Sequence, residues 1–212
     1  MAKIPSKNAE IAALGVRVVT AWANYPTLDM DWITQADAVT LTTNYYNILL
    51  QTSQTAGVER IKVQAMRELD EEINTGLYFV KQLIGAEYGR NNLDAQYANF
   101  GIVKEGGGYV IPRERDSRIQ SLRMMVSGMT TAPFSGNVHG LAYWQDILTR
   151  YITAKEDLEL ESMKLTGDVT DKSKLRNDVL RLLRSLKYLV MAFFPDTHDR
   201  VLRDFGYLDE YV

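Results

Sequence analysis

Cysteine is absent from all 212 residues, which removes disulfides, thiolate nucleophiles and every cysteine metal site at once. It also leaves the redox compartment open. Proline occurs five times, at positions 5, 26, 112, 133 and 195, and each one reads as the boundary of an element. Charge of one sign is lacking as well. The net charge is −3, with 9 basic and 12 acidic residues up to Glu105 and 15 of each after it, so neither half is a basic module and nucleic acid is not an expected partner. The longest apolar run, around Tyr188–Phe194, is far short of the ~20 residues a membrane span needs. The opening stretch MAKIPSKNAEIAALG has neither a continuous apolar region nor a cleavage site, so a signal peptide is not expected and the expectation is a cytoplasmic protein.

What the chain does contain is helical periodicity. Residues 6–25 place Ile11, Leu14, Val18, Ala21, Trp22 and Tyr25 on one face, with Ser6 as the expected cap. A second helix is expected from Asp31 towards Ser53, beginning with Trp32, and a third from Val58 to Ile84 along the stripe Ile61, Ala65, Leu69, Ile73, Leu77, Val80 and Ile84. Gly57 is read either as a break between these two or as a tolerated residue in one long helix. Leu93–Asn99 supplies a short closing turn. The second half gives the same order: Arg113–Met129, Leu141 to about Leu165, then a helix capped by Asp171 and ended by Pro195, and a short turn His198–Asp204.

Between the halves lies Phe100–Pro112, FGIVKEGGGYVIP, whose three consecutive glycines suit a hairpin or loop. The Ile-Pro that follows it also stands at Ile4-Pro5, and the Phe-Gly that precedes it returns at Phe205-Gly206. The spacings are 111 − 4 = 107 and 205 − 100 = 105. The expectation is an all-α helical bundle of two pseudo-repeated three-helix units, 1–102 and 111–212, joined by a seam at 103–110 and packed on one shared core.

An Ile-Pro opening, two helices, a basic third helix, a short turn and a glycine-containing close resemble a group of uncharacterised helical proteins common in Bacteroidota genomes. The likeness covers Ile4–Ile102 and again Ile111–Tyr207, with Phe-Gly here in place of the usual Leu-Gly. It implies a helical fold and brings no catalytic residue with it.

The residues that invite chemistry are few. Glu68, Asp70, Glu71 and Glu72 share a helix, and a ferritin-like di-metal site would need them turned inward beside a Glu-x-x-His, which neither His139 nor His198 provides. His198 stands between Asp196 and Asp199 without a nucleophile at a useful spacing, and His139 is a loop residue. Gly106-Gly107-Gly108 lacks the Lys-Ser/Thr of a phosphate loop. No catalytic residue, metal ligand or cofactor is therefore assigned. Arg176, Arg181, Arg184 and Lys187 make a basic edge, with Asp157, Glu159 and Glu161 as the expected partners. Twelve tyrosines and three tryptophans point to interfaces as much as to cores. Tyr45 and Tyr46 cannot both face one core, and Tyr207, Leu208 and Tyr211 form a tail able to dock, so these five are the expected interface. The function that follows is a non-enzymatic structural or protein-interaction bundle, self-associating or a subunit of a larger assembly such as a phage-like particle. The alternative is a small-molecule-binding or metal-dependent helical enzyme.

Overall fold

The structure, a computed structural model, describes residues 2–89 and 93–209. The elements in chain order are β1 (Ala2–Lys3), α1 (Asn8–Trp22), α2 (Gln35–Tyr88), α3 (Leu93–Asn99), β2 (Val103–Glu105), β3 (Gly108–Val110), α4 (Arg115–Thr131), α5 (Leu141–Phe193), α6 (His198–Asp204) and β4 (Leu208–Asp209). The protein is all-α, with 76% of it helical and, among the described residues, only two-residue and three-residue strands.

Three details differ from the sequence reading, and of the two alternatives at Gly57 the single long helix is the one formed. Helix α1 is preceded by Lys7, which makes no side-chain cap, rather than by Ser6. Trp32 lies outside the second helix. Thr34 starts it, its hydroxyl accepting from the Asp37 N–H at 3.1 Å and donating to the Asp37 carboxylate at 2.7 Å. The second and third helices of the first half are one helix, α2, and Leu141–Leu165 continues through Asp171 as one helix, α5. The reason is local. A side chain built on Gly57 or Gly167 would meet nothing within 4 Å, so each costs only the ~1 kcal/mol of a mid-helix glycine and neither forces a turn. The threonine-rich start of α2 stays helical because its hydroxyls are satisfied within the helix, Thr40 by Ala36 O, Thr42 by Ala38 O and Thr52 by Ile48 O.

The chain divides into two compact units, Met1–Gly57 with Met163–Val212, and Val58–Ser162. The division does not fall at the glycine seam, which is the β2–β3 hairpin and lies within the second unit. Unit 1 holds α1, the first part of α2, the second part of α5, α6 and the β1–β4 pair. Its core is one cluster that includes Ile11, Val18, Trp22, Tyr45, Val179, Leu183 and Phe205. Unit 2 holds the second part of α2, α3, the hairpin, α4 and the first part of α5. Its cluster includes Ile73, Val80, Phe100, Leu122, Met125, Trp144 and Tyr151. The buried side chains thus form two cores, each drawing on both halves of the sequence, where the sequence suggests one.

Each short closing helix ends on a left-handed glycine. Gly101 (φ 70°) donates to Ala98 O and Ile102 to Tyr97 O; Gly206 (φ 84°) donates to Arg203 O and Tyr207 to Leu202 O. Phe100, Ile102, Phe205 and Tyr207 flank these turns and are all buried. Gly101 is also pressed against α4, since a Cβ there would run into the backbone of Ser121 and Met124 Cβ. Gly89 has a similar φ of 68° with nothing near it. Gly89→Ala should therefore cost ~1 kcal/mol through φ alone, and Gly101→Ala ~2–4 kcal/mol through φ and overlap together, read as urea unfolding midpoints.

Candidate functional site

Unit 2 has a groove of about 500 Å³ between residues 62–72 of α2 and 149–157 of α5. Its charged lining is largely self-satisfied. Lys62 Nζ donates to Asp157 Oδ2 at 2.6 Å, and Arg150 donates to Glu72 Oε1 and to Asp146 Oδ2, both at 2.7 Å. What remains for a ligand is Ala65, Leu69 and Ala154 with the two threonines, Thr149 and Thr153. A groove of this kind offers apolar contact and shape, framed by ion pairs, and no convergent set of reactive groups.

In the same unit, Arg118 of α4 is buried at 3% exposure. Its Nε donates to Pro112 O at 2.6 Å, its Nη1 reaches the Asp70 carboxylate, and the guanidinium lies 6.0 Å from the ring centre of Tyr151. Lys155 bridges Asp116 (2.8 Å) and Glu159 (3.0 Å), which push its pKa up to about 12, Asp116 most strongly. Glu114 caps α4. Hydrogen bonds from Ser117, side chain and backbone, and from the Asp116 N–H hold its carboxyl down at about 2.

Unit 1 has a groove of about 520 Å³ between residues 44–51 of α2 and 171–178 of α5. Ile48 and Leu175 are its apolar residues, with Asn44, Asn47, Gln51, Asp171, Lys174 and Asp178 around them. Next to it, the buried carboxylate of Asp168 accepts from Gln51 Nε2 and Thr55 Oγ1, each at 2.7 Å. Deeper in the unit, Asn8 Oδ1 accepts from Tyr45 Oη at 3.2 Å and Arg176 Nε at 3.0 Å.

The sequence candidates are placed as follows. Tyr46 is exposed, whereas Tyr45 and Tyr207 are in the core of unit 1, the Tyr207 hydroxyl donating to Leu183 O at 2.6 Å. Those two rings are corrections to the expected interface: adjacent residues on a helix point ~100° apart, so the phase that buries Tyr45 exposes Tyr46. Burial raises the pKa of both buried tyrosines. Leu208 pairs through its backbone in β4, and Tyr211 lies outside the described residues. On the basic edge, Arg181 lies 4.2 Å over the ring of Trp32, and Arg176 is engaged by Asn8. The expected partners Asp157 and Glu159 bind Lys62 and Lys155 instead, both within unit 2. The acidic run is dispersed: Asp70 faces Arg118, Glu72 faces Arg150, and Glu68 accepts from Gln64 at 3.1 Å.

His139 stacks on Phe79 (4.3 Å between centres, 13° between planes) and meets the edge of Tyr143, while His198 Nδ1 sits 2.8 Å from Pro195 O. The two fully buried tryptophans have distinct anchors, Trp22 Nε1 on Leu28 O at 2.7 Å and Trp144 Nε1 on His139 O at 3.1 Å. Sequence reasoning did not single out Arg118 or the grooves. An arginine at a core-facing phase of α4 was the available signal for the first, whereas the grooves need tertiary packing to exist.

Among the described residues no helix is long and apolar enough to cross a membrane. Comparison with protein-family models, with curated proteins and with solved structures finds no match.

Asp70→Asn should destabilise by ~1–3 kcal/mol, because it strips the charge partner from a buried guanidinium. Glu72→Gln, at a half-exposed pair, should cost less than ~1 kcal/mol. Chemical denaturation of the two variants side by side checks the ranking. Glu114 has a depressed folded pKa, so its contribution is complete above the ordinary value of 4.5 and disappears as pH falls through about 2. Unfolding midpoints taken across that interval should fall more steeply for the parent than for Glu114→Gln.

Proposed function

We propose that this protein is a non-enzymatic structural or protein-interaction bundle that associates with further copies of itself or serves as a subunit of a larger assembly, phage-like particles among them. The observation that carries this reading is the character of the two grooves. Each combines a short apolar strip with polar groups that are already partnered or belong to a carboxamide-rich rim, which suits the side of another polypeptide better than a reacting small molecule.

Large apolar side chains stand exposed on the helix segments that form these grooves, among them Tyr46 and Leu50 in unit 1 and Ile61 at 68% exposure in unit 2. Exposed aliphatic and aromatic side chains of this size are the usual anchors of an interface. The basic edge fits an internal role, with Arg181 stacked on Trp32 and Arg176 bonded within unit 1.

Light scattering across a dilution series tests the self-associating form. Masses above the 24.1 kDa of one chain, falling on dilution, are expected. Leu50→Glu or Ile61→Glu should shift the dissociation point to higher concentration by tenfold or more, about 1.4 kcal/mol, with the monomer still folded. A single-chain mass at every concentration would leave only a partner of another kind.

A further inference from the structure

We infer that the chain is one three-helix half used twice with the halves exchanged, so that each compact unit joins the opening part of one copy to the closing part of the other, and that the pairing of the two chain ends is the second of two equivalent junctions.

The junctions carry most of the argument. In unit 2 the strand after Phe100-Gly101 pairs with the strand before Ile111-Pro112, Val103 opposite Val110 and Lys104 opposite Tyr109. In unit 1 the strand after Phe205-Gly206 pairs with the strand before Ile4-Pro5, Leu208 opposite Lys3 and Asp209 opposite Ala2. Adding 105 to each closing residue of the hairpin and subtracting 107 from each opening one turns the first register into the second. A one-residue slip in either pair would break that relation. The hydrogen bonds at Gly101 and Gly206 repeat with the same 105-residue spacing. Both pairings are antiparallel, and they differ in connection: Gly106-Gly107 ties β2 to β3, whereas β1 and β4 come from residues 2–3 and 208–209 of the sequence.

The strands fix spacings of 105 and 107, which leaves the helices between them only a shift within that interval. That matters, because any two helical faces can be aligned by choosing a shift. At 107 six of the seven buried residues of α1 (Ile11, Ala12, Leu14, Gly15, Val18, Trp22) fall on Arg118, Ile119, Ser121, Leu122, Met125 and Met129, the buried residues of α4, and the seventh, Val19, falls on half-buried Val126. At the intermediate spacing of 106, Tyr45 falls on Tyr151 and Val80 on Leu186, all buried. The same spacing pairs Ala38 with Trp144 and Gly76 with Leu182. In unit 2 a Cβ on Gly76 would lie 2.6 Å from the Tyr143 ring and 3.0 Å from the Trp144 ring, and in unit 1 Ala38 and Leu182 are both buried in the core. Every residue lining the groove of unit 1 also lands on one lining the groove of unit 2, Gln51 on Asp157 and Leu175 on Leu69 for instance. Helical periodicity explains none of the strand register, and a shared strand register explains none of the match between the two groove linings.

The test uses the full chain and does not depend on the interaction reading above. Two double-cysteine variants are made in this cysteine-free background, Val103→Cys with Val110→Cys and Lys3→Cys with Leu208→Cys. Both pairs should close within one chain when treated with a short bis-maleimide, as measured by mass spectrometry. A circular permutant of these 212 residues is made alongside, with residues 1 and 212 joined by a short glycine linker and the chain reopened between Gly106 and Gly107. It should keep the parent's helical circular dichroism and unfold cooperatively within ~5 °C of the parent. Cross-linking of the internal pair without the terminal pair, or cross-links of the terminal pair only between chains, would overturn the proposal. So would a permutant that loses its cooperative transition while the terminal cross-link forms, because the ends would then meet without forming an equivalent junction.

Discussion

A short helix that must stop, bury the residues on both sides of its end and hand the chain to a strand has few solutions, and a left-handed glycine is the one used here. At Gly101 and Gly206 the backbone reverses while the last carbonyls are still taken by N–H groups of the turn. Phe100 and Phe205 can then enter a core from one side of the turn, and Ile102 and Tyr207 from the other. The strands follow at once. Without that reversal, α3 and α6 would project their aromatic residues along the chain direction, and neither β2–β3 nor β1–β4 could form where it does.

Inside each unit the stability rests on apolar packing, with a small number of polar groups fixing its details. Arg118 in unit 2 and Asn8 in unit 1 each gather partners around a buried tyrosine hydroxyl or ring, yet the two solutions use different chemistry. A buried cation requires a counter-charge and a carbonyl to offset its desolvation, whereas the carboxamide of Asn8 needs only hydrogen bonds. Asp168 shows the same economy, held by two neutral donors.

Much of this was legible in the sequence. The stripe from Leu69 to Ile84 and the boundaries at Pro26, Pro133 and Pro195 follow from periodicity and from missing N–H groups, which are local properties. The seam hairpin and the closing turns were legible for the same reason. Gly57 stays ambiguous and the stretch at Gly167 reads as a break because an exposed mid-helix glycine and a helix break look alike in one dimension; only the surroundings tell them apart. The assembly of the units was not legible. The stripe of α1 would suit many apolar partners, and its contacts are set by fit, such as Gly15 against Thr42 and Val179, between residues distant in the chain. The grooves share that dependence, as products of two helix segments that the sequence presents far apart. Tyr45 and Tyr46 lie between these cases, since the helix guarantees that they diverge without saying which one faces inward.

The three tryptophans are distributed so that each reports on something different. Trp22 is sealed in the core of unit 1, Trp144 in the core of unit 2, and Trp32 is partly exposed beneath a guanidinium. Their emission therefore amounts to a built-in set of optical addresses. Phenylalanine at two of the three would leave a chain in which the melting of one core, or solvent access to one surface, is followed by a single wavelength shift. Whether the two cores lose their structure together or in sequence becomes a question that ordinary fluorescence can answer.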